Sequence, residues 1–88
     1  MTPQEINDQL ELLRLKELFM SDIKTRSEMA MLICEEDSSH KEFCELTHCT
    51  PEIATMFTHI SLYDVILTPE EIATERKRLE RMKHDTLQ

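Results

Sequence analysis

The sequence predicts a single all-helical domain over residues 1–88, and three observations support that fold class. The chain has no glycine, whereas the tight turns of β-hairpins rely on Asn-Gly or Gly-x pairs. Each of its three prolines follows a threonine and leads into glutamates, which is typical of a helix start. Apolar residues recur three and four positions apart, which is the period of an amphipathic helix.

The first helix is predicted to start at Thr2-Pro3. A threonine oxygen can accept hydrogen bonds from the free amides of a first turn, and Glu5 stands where a capping box requires it. The apolar spacing predicts a long helix from about Pro3 to Cys34. We expect a bend in it near residues 21–27.

Shorter helices are predicted at 39–48, 51–59 and 62–67. Thr50, followed by proline and glutamate, marks the second of these starts clearly. A last helix is predicted to start after Thr68, with Glu71 in the capping-box position, and to run to about His84. Residues 69–88 are therefore expected to form a polar, partly basic C-terminal helix.

The long first helix carries two apolar stripes, roughly a third of a turn apart. One stripe consists of Ile6, Leu10, Leu13 and Met20. The other consists of Leu12, Leu15, Phe19, Ile23 and Ala30. The short helices can cover one stripe, so a second copy or another protein is the expected cover for the other, as in an intertwined homodimer. The alternative is one broad core face with a few exposed leucines.

Composition narrows the function classes. Residues 1–68 hold thirteen acids and five bases, so the body of the chain would repel nucleic acid on its own. Without glycine, phosphate-binding loops are not expected, and the sequence predicts no enzyme, no cofactor and no small-molecule substrate. No apolar run approaches the roughly 20 residues that span a bilayer. The lack of such a run predicts no membrane association. Three cysteines without a C-x-x-C pair predict free thiols and a cytoplasmic location.

One segment concentrates soft metal ligands: Cys34, His40, Cys44, His48 and Cys49. Zinc accepts such residues, but structural zinc sites usually pair them as C-x₂₋₄-C and H-x₃₋₅-H. The segment has no C-x-x-C pair, no H-x₃₋₅-H pair and no glycine turn, so no metal site is predicted. Buried thiols and solvated histidines are the expected alternative. A Cys–His nucleophile is not expected either, because no oxyanion hole is evident.

The last helix is locally basic. Its cations are Arg76, Lys77, Arg78, Arg81 and Lys83. These side chains can contact DNA phosphates, and we expect such contact only within a complex that includes another protein. The alternative is an ordinary solvated face, because cations near a helix C-terminus are favoured by the helix dipole.

The segment 51–62 carries an amphipathic set of apolar residues. They are Ile53, Met56, Phe57 and Ile60, spaced i, i+3, i+4 and i+7. In this segment an acid is followed by an aliphatic residue with Ala-Thr, then by two large apolar residues, and then by an aliphatic residue with Ser-Leu. This order resembles the middle of the flagellar regulator subunit FlhD. Glu5-Ile6-Asn7 followed by Leu12-Leu13 is similar to the start of that family's first helix.

The resemblance implies a non-enzymatic transcription co-regulator. FlhD proteins are all-helical dimers that join FlhC, a zinc-binding DNA-recognition subunit, and related subunits activate conjugative elements. The implied partners are therefore a second copy, an FlhC-like subunit, and DNA only within that complex. The residues predicted to contact a second copy or a partner combine the two stripes with this segment: Leu10, Leu12, Leu13, Leu15, Phe19, Met20, Ile53, Met56, Phe57 and Ile60. Residues 24–43 look like an insertion relative to the family. The family's inter-chain cysteine has no clear counterpart, so disulfide dimerisation is not implied.

A second hypothesis is an acidic helical inhibitor or adaptor of the phage or plasmid type. It would occupy a nucleic-acid site on a host protein by presenting carboxylates, such as those of Glu35, Glu36 and Asp37. The net charge of −8 supports this hypothesis.

Overall fold

The computed structural model describes residues 2–34, 40–60 and 67–86, and these residues form helices without any strand. The five helices are α1 (Pro3–Phe19), α2 (Ile23–Cys34), α3 (Lys41–Thr47), α4 (Pro51–Thr58) and α5 (Pro69–Thr86). The predicted all-helical class is confirmed. The helix predicted at 62–67 lies, apart from Leu67, outside the described residues.

The helix starts follow the threonine pattern of the sequence. The Thr2 hydroxyl accepts a hydrogen bond from the Glu5 amide at 3.2 Å, and Thr50 caps α4 in the same way. At α5 the capping box is reciprocal: Thr68 Oγ1 accepts from the Glu71 amide at 3.1 Å, and the Glu71 carboxylate accepts from the Thr68 amide at 3.4 Å. These side chains satisfy amides that have no partner within their helix.

The segment predicted as a long first helix, from Pro3 to about Cys34 with a bend near residues 21–27, forms two helices, because the chain breaks between Phe19 and Ile23. Ser21 Oγ donates to the Leu18 carbonyl at 2.7 Å, and the Asp22 carboxylate accepts from the Thr25 amide at 2.7 Å. Short polar side chains of this kind compete with the helical hydrogen-bond ladder and cap the new helix. The break coincides with the beginning of the predicted bend.

The larger part of the core lies on one side of α1 and is built from all of the first four helices. We call it the aromatic cluster: Leu12, Leu15, Phe19, Met29, Phe43, Ile53, Ala54 and Phe57, all buried. The Phe57 ring lies between two others, with centroid distances of 6.3 Å to Phe19 and 5.7 Å to Phe43. Such ring pairs stabilise a core beyond the area that they bury.

A second side of α1, about a third of a turn from the first, packs against α5. Four buried residues form what we call the α1–α5 seam: Ile6, Leu13, Ile72 and Leu79. Leu10, Leu67 and Met82 are partly buried against them. The premise that a second copy must cover one stripe of α1 is therefore wrong, because this chain's own α5 covers it.

Two residues that the sequence placed in the second stripe do not join the core. Ile23 is 80% exposed, and Ala30 is exposed as well. The break after Phe19 resets the helical phase, so a stripe extrapolated from α1 emerges on the outer side of α2. Met29, which the stripes omitted, is the fully buried residue of α2.

Both ends of α3 carry histidines in the left-handed region. His40 has φ of 50° and His48 has φ of 58°, where glycine is usual. Histidine tolerates this region better than bulky or β-branched residues do. The His48 amide donates to the Cys44 carbonyl at 2.7 Å, which closes the last turn of α3.

Candidate interaction surface and thiol pair

The outer side of α2 is an apolar face without a cover among the described residues. Ile23, Ser27, Ala30 and Met31 stand at i, i+4, i+7 and i+8, which places them on one side of the helix, and all four are exposed. Ile23 and Met31 are 80% and 69% exposed and are the large hydrophobic residues that the described structure leaves open. We call these four residues the α2 face.

Packing against α1 fixes which side of α2 turns outward. The Arg26 guanidinium donates to the Phe19 carbonyl at 3.3 Å and lies 5.6 Å from the centroid of the Phe19 ring, within cation–π range. Met29 enters the aromatic cluster from the same helix. With Met29 buried and Arg26 held against Phe19, Ile23 and Met31 face solvent.

The residues predicted to bind a second copy or a partner lie instead in this chain's own core. Six of them are buried: Leu12, Leu13, Leu15, Phe19, Ile53 and Phe57. The other four are partly buried against the two clusters: Leu10, Met20, Met56 and Ile60. Their apolar spacing is explained by packing within one chain. The sequence did not predict the α2 face, because Ile23 was assigned to a core stripe and Met31 was assigned to neither stripe.

The basic residues of α5 are not equally available. Arg76 pairs with Glu17 of α1 at 3.0 Å, and Arg78 pairs with Glu75 within α5. The hydrogen bond from Arg78 holds the pKa of the Glu75 carboxyl below its ordinary value, against a smaller effect of burial. The remaining three are exposed: Lys77, Arg81 and Lys83. Two of the five predicted phosphate contacts thus already have carboxylate partners.

Within the cysteine- and histidine-rich segment, the structure brings two sulfurs together. Cys49 Sγ lies 3.9 Å from Cys44 Sγ, and the Thr47 hydroxyl lies 3.1 Å from Cys49 Sγ. Burial and the nearby Cys49 raise the pKa of the Cys44 thiol to about 11. Over the described residues, no three His, Cys, Asp or Glu side chains converge as a metal site would require. The Cys34 side chain falls outside this description.

A groove of about 480 Å³ runs along the α1–α5 seam. Leu13 and Leu79 form part of its floor, and Lys16 and Glu75 are among its polar lining residues. These are the ordinary components of a helix–helix boundary and do not pair a nucleophile with a base. The groove therefore indicates no particular chemistry.

The carboxylates of residues 35–37, which the inhibitor hypothesis expects to be presented to a host protein, also lie outside the described residues. None of the helices described here is long and apolar enough to cross a membrane.

Comparison of the chain with protein-family models, with curated proteins and with solved structures finds no match. The resemblance of segment 51–62 to FlhD therefore stays an expectation from the sequence.

Proposed function

We propose that this chain is a non-enzymatic regulatory protein that associates with a second copy of itself through the α2 face. The observation that carries the proposal is the exposure of Ile23 and Met31, at 80% and 69%, on one side of a helix that places Met29 in the aromatic cluster. Exposed apolar residues grouped on one face are typical of protein contact sites. The α2 face is thus the proposed dimer contact in place of the α1 stripe predicted from the sequence.

An antiparallel pairing of two α2 helices matches the spacing of the face. With Ser27 at the centre, Ile23 stands four residues before it and Met31 four residues after it. A two-fold axis through that centre sets Ile23 of one copy against Met31 of the other. The short side chains of Ser27 and Ala30 leave room for the two helices to approach.

Charge also favours the antiparallel arrangement. Lys24 and Glu28 flank the same edge of the α2 face, four residues apart. In the antiparallel pair, Lys24 of one copy comes beside Glu28 of the other. In a parallel pair related by a two-fold axis along the helices, the same edge of the two copies lies on opposite sides of the contact, so Lys24 and Glu28 do not meet across it. The attraction between opposite charges is therefore specific to the antiparallel arrangement.

The association is expected to be weak. α2 has 12 residues and is about 18 Å long, so the contact belongs to the small, transient class of interfaces. Two chains that each carry a net charge of −8 also repel one another. Added salt screens that repulsion, so the dimer is expected to tighten as ionic strength rises.

The regulatory role within this proposal is that of a transcription co-regulator, and its support is the resemblance of segment 51–62 to FlhD. Its partner is an FlhC-like DNA-binding subunit, and it contacts DNA only within that complex. Lys77, Arg81 and Lys83 are the exposed cations of α5 that can reach phosphate there.

Self-association is tested by sedimentation equilibrium over a range of protein and salt concentrations. Charge reversal in either single variant, Lys24→Glu or Glu28→Lys, should weaken the dimer, and the double variant should restore it. Ile23→Asp should give a monomer with an unchanged circular dichroism spectrum. A protein that stays monomeric at all concentrations would refute the proposed dimer.

The role in transcription is tested separately by co-purification with FlhC-like subunits and by DNA retention of the resulting complex. Replacing Lys77, Arg81 and Lys83 with glutamine should weaken that retention and reduce its salt dependence. A triple variant that retains DNA as strongly as the parent would count against the assigned contacts.

A further inference from the structure

We propose that Cys44 and Cys49 form a reversible intramolecular disulfide by reaction with a low-molecular-weight disulfide such as oxidised glutathione. The two sulfurs already lie 3.9 Å apart, and both residues are free thiols of intermediate exposure. This modification site is independent of the α2 face and of the proposed dimer.

The backbone between the two cysteines is what brings the sulfurs together. Cys44 lies in α3, and Cys49 follows the left-handed residue His48 at the end of that helix. The left-handed turn folds the chain back, so that a residue just beyond the helix comes beside one in its last turns. Rotation of the two side chains then has to reduce the sulfur separation only from 3.9 Å to about 2.0 Å.

The surroundings distinguish the two thiols. The Arg14 guanidinium donates to the His48 carbonyl at 3.4 Å and lies close enough to Cys49 for electrostatic attraction. The guanidinium attracts negative charge on the Cys49 sulfur, which is the charge that a nucleophilic sulfur carries. Cys44 lacks that help, and burial raises the pKa of its thiol to about 11. Cys49 is therefore the attacking sulfur, and Cys44 is the resolving sulfur.

A small oxidant can reach the pair because both thiols are partly exposed, and an open groove adjoins the pair on the side of Cys44. It has a volume of about 410 Å³ and is lined by Lys41, Cys44, Glu45 and Pro51. The oxidant can thus approach without displacing buried residues of the aromatic cluster.

The exchange proceeds in two displacement steps. The Cys49 thiolate attacks one sulfur of the small disulfide, forms a mixed disulfide and expels one small thiolate. The Cys44 thiolate then attacks the Cys49 sulfur, which breaks the mixed disulfide and expels the second small thiolate. Two electrons pass from the protein thiols to the small disulfide, and the two protons end on the expelled thiols. In the second step Cys49 is part of the mixed disulfide and carries no negative charge. One of the causes that raise the pKa of the Cys44 thiol is therefore removed.

The experiment incubates the full chain with defined ratios of reduced and oxidised glutathione and then alkylates the remaining thiols. Mass spectrometry of the intact protein and of its peptides counts and locates the alkylated cysteines. We expect three alkylations in the reduced protein and one, at Cys34, in the oxidised monomer, with a loss of two hydrogen atoms. The same treatment in denaturing urea should abolish the preference for the Cys44–Cys49 pair.

Variants test the order of the steps. Cys34→Ser should still form the disulfide, and Cys44→Ser should trap glutathione on Cys49. Cys49→Ser should react with glutathione several-fold more slowly than Cys44→Ser does. The proposal is overturned if the oxidised wild-type monomer still alkylates at Cys44 and Cys49, or carries only mixed disulfides. It is equally overturned if oxidation yields only dimers linked through Cys34.

Discussion

The two sides of α1 are packed in different ways. On one side, the aromatic cluster draws buried residues from α1, α2, α3 and α4, including three phenylalanines in contact. On the other side, the α1–α5 seam joins only two helices through four buried aliphatic residues. A cluster shared among many elements couples their stabilities, whereas a two-helix seam can open while the rest stays folded. α5 is therefore expected to open independently of the other four helices.

The largest effect is expected from Phe57→Ala. Phe57 is buried between Phe19 and Phe43, and truncating a buried phenylalanine costs about 3–5 kcal/mol. That loss is a large part of the roughly 5–15 kcal/mol that stabilises a typical domain. Urea denaturation followed by circular dichroism should show helicity lost in all the helices together. Phe57→Leu, which keeps more of the volume, is the control and should retain a cooperative transition.

Leu79→Ala tests the seam. Leu79 is 1% exposed, and truncation of a buried leucine costs about 2–5 kcal/mol. Hydrogen exchange should accelerate in α5 while protection in α1 through α4 changes little. The exposed Lys77→Ala is the control from the same helix. If exchange rose equally in all the helices, the two sides of α1 would be one cooperative unit, and the comparison would fail.

A smaller loss of stability is expected from Asp22→Asn. Asp22 caps α2, the helix that contributes Met29 to the aromatic cluster. Hydrogen bonds from the Thr25 amide at 2.7 Å and the Thr25 hydroxyl at 3.0 Å lower the pKa of the Asp22 carboxyl. Since the folded pKa is depressed, the stabilisation is complete above the unfolded pKa and is lost as pH falls through the folded value. Urea midpoints of wild type and variant should therefore differ near neutral pH and converge at about pH 2. A difference that persists in acid would assign the effect to something other than the charge.

The smallest effect is expected from Arg76→Gln, at the edge of the seam. Arg76 bridges α5 to Glu17 of α1, but both side chains are well exposed, so the pair contributes no more than about 1 kcal/mol. Thermal denaturation at low and high salt should show a small difference that high salt removes. Arg78→Gln, which breaks a pair within α5 alone, is the control and should leave hydrogen exchange across the seam unchanged.

The helix starts were predictable because their determinants are local. Thr2, Thr50 and Thr68 each cap the helix that the sequence assigned to them. The break before α2 was only partly predictable. Asp22 has the side chain of a helix cap, yet it lacks the proline that marked the other starts, and its capping became evident only from the Thr25 hydrogen bonds.

Which helix covers which stripe was not predictable in the same way. α5 is polar along most of its length, so its two buried residues, Ile72 and Leu79, did not stand out as a core face. The available signal was their separation by seven residues, which equals that of Ile6 and Leu13 on α1. The thiol pair depends on the left-handed turn at His48. The sequence did not predict this turn, because a histidine does not by itself indicate a positive φ.

The left-handed histidines at the two ends of α3 limit which sequences this fold can accept. At positions 40 and 48, residues such as Val or Ile would force a backbone conformation that their branched side chains resist, while Asn and Gly would adopt it readily. A substitution library at these positions would therefore select for backbone conformation rather than for side-chain chemistry. In a chain without glycine, positions 40 and 48 thus carry a left-handed backbone that β-branched residue types resist.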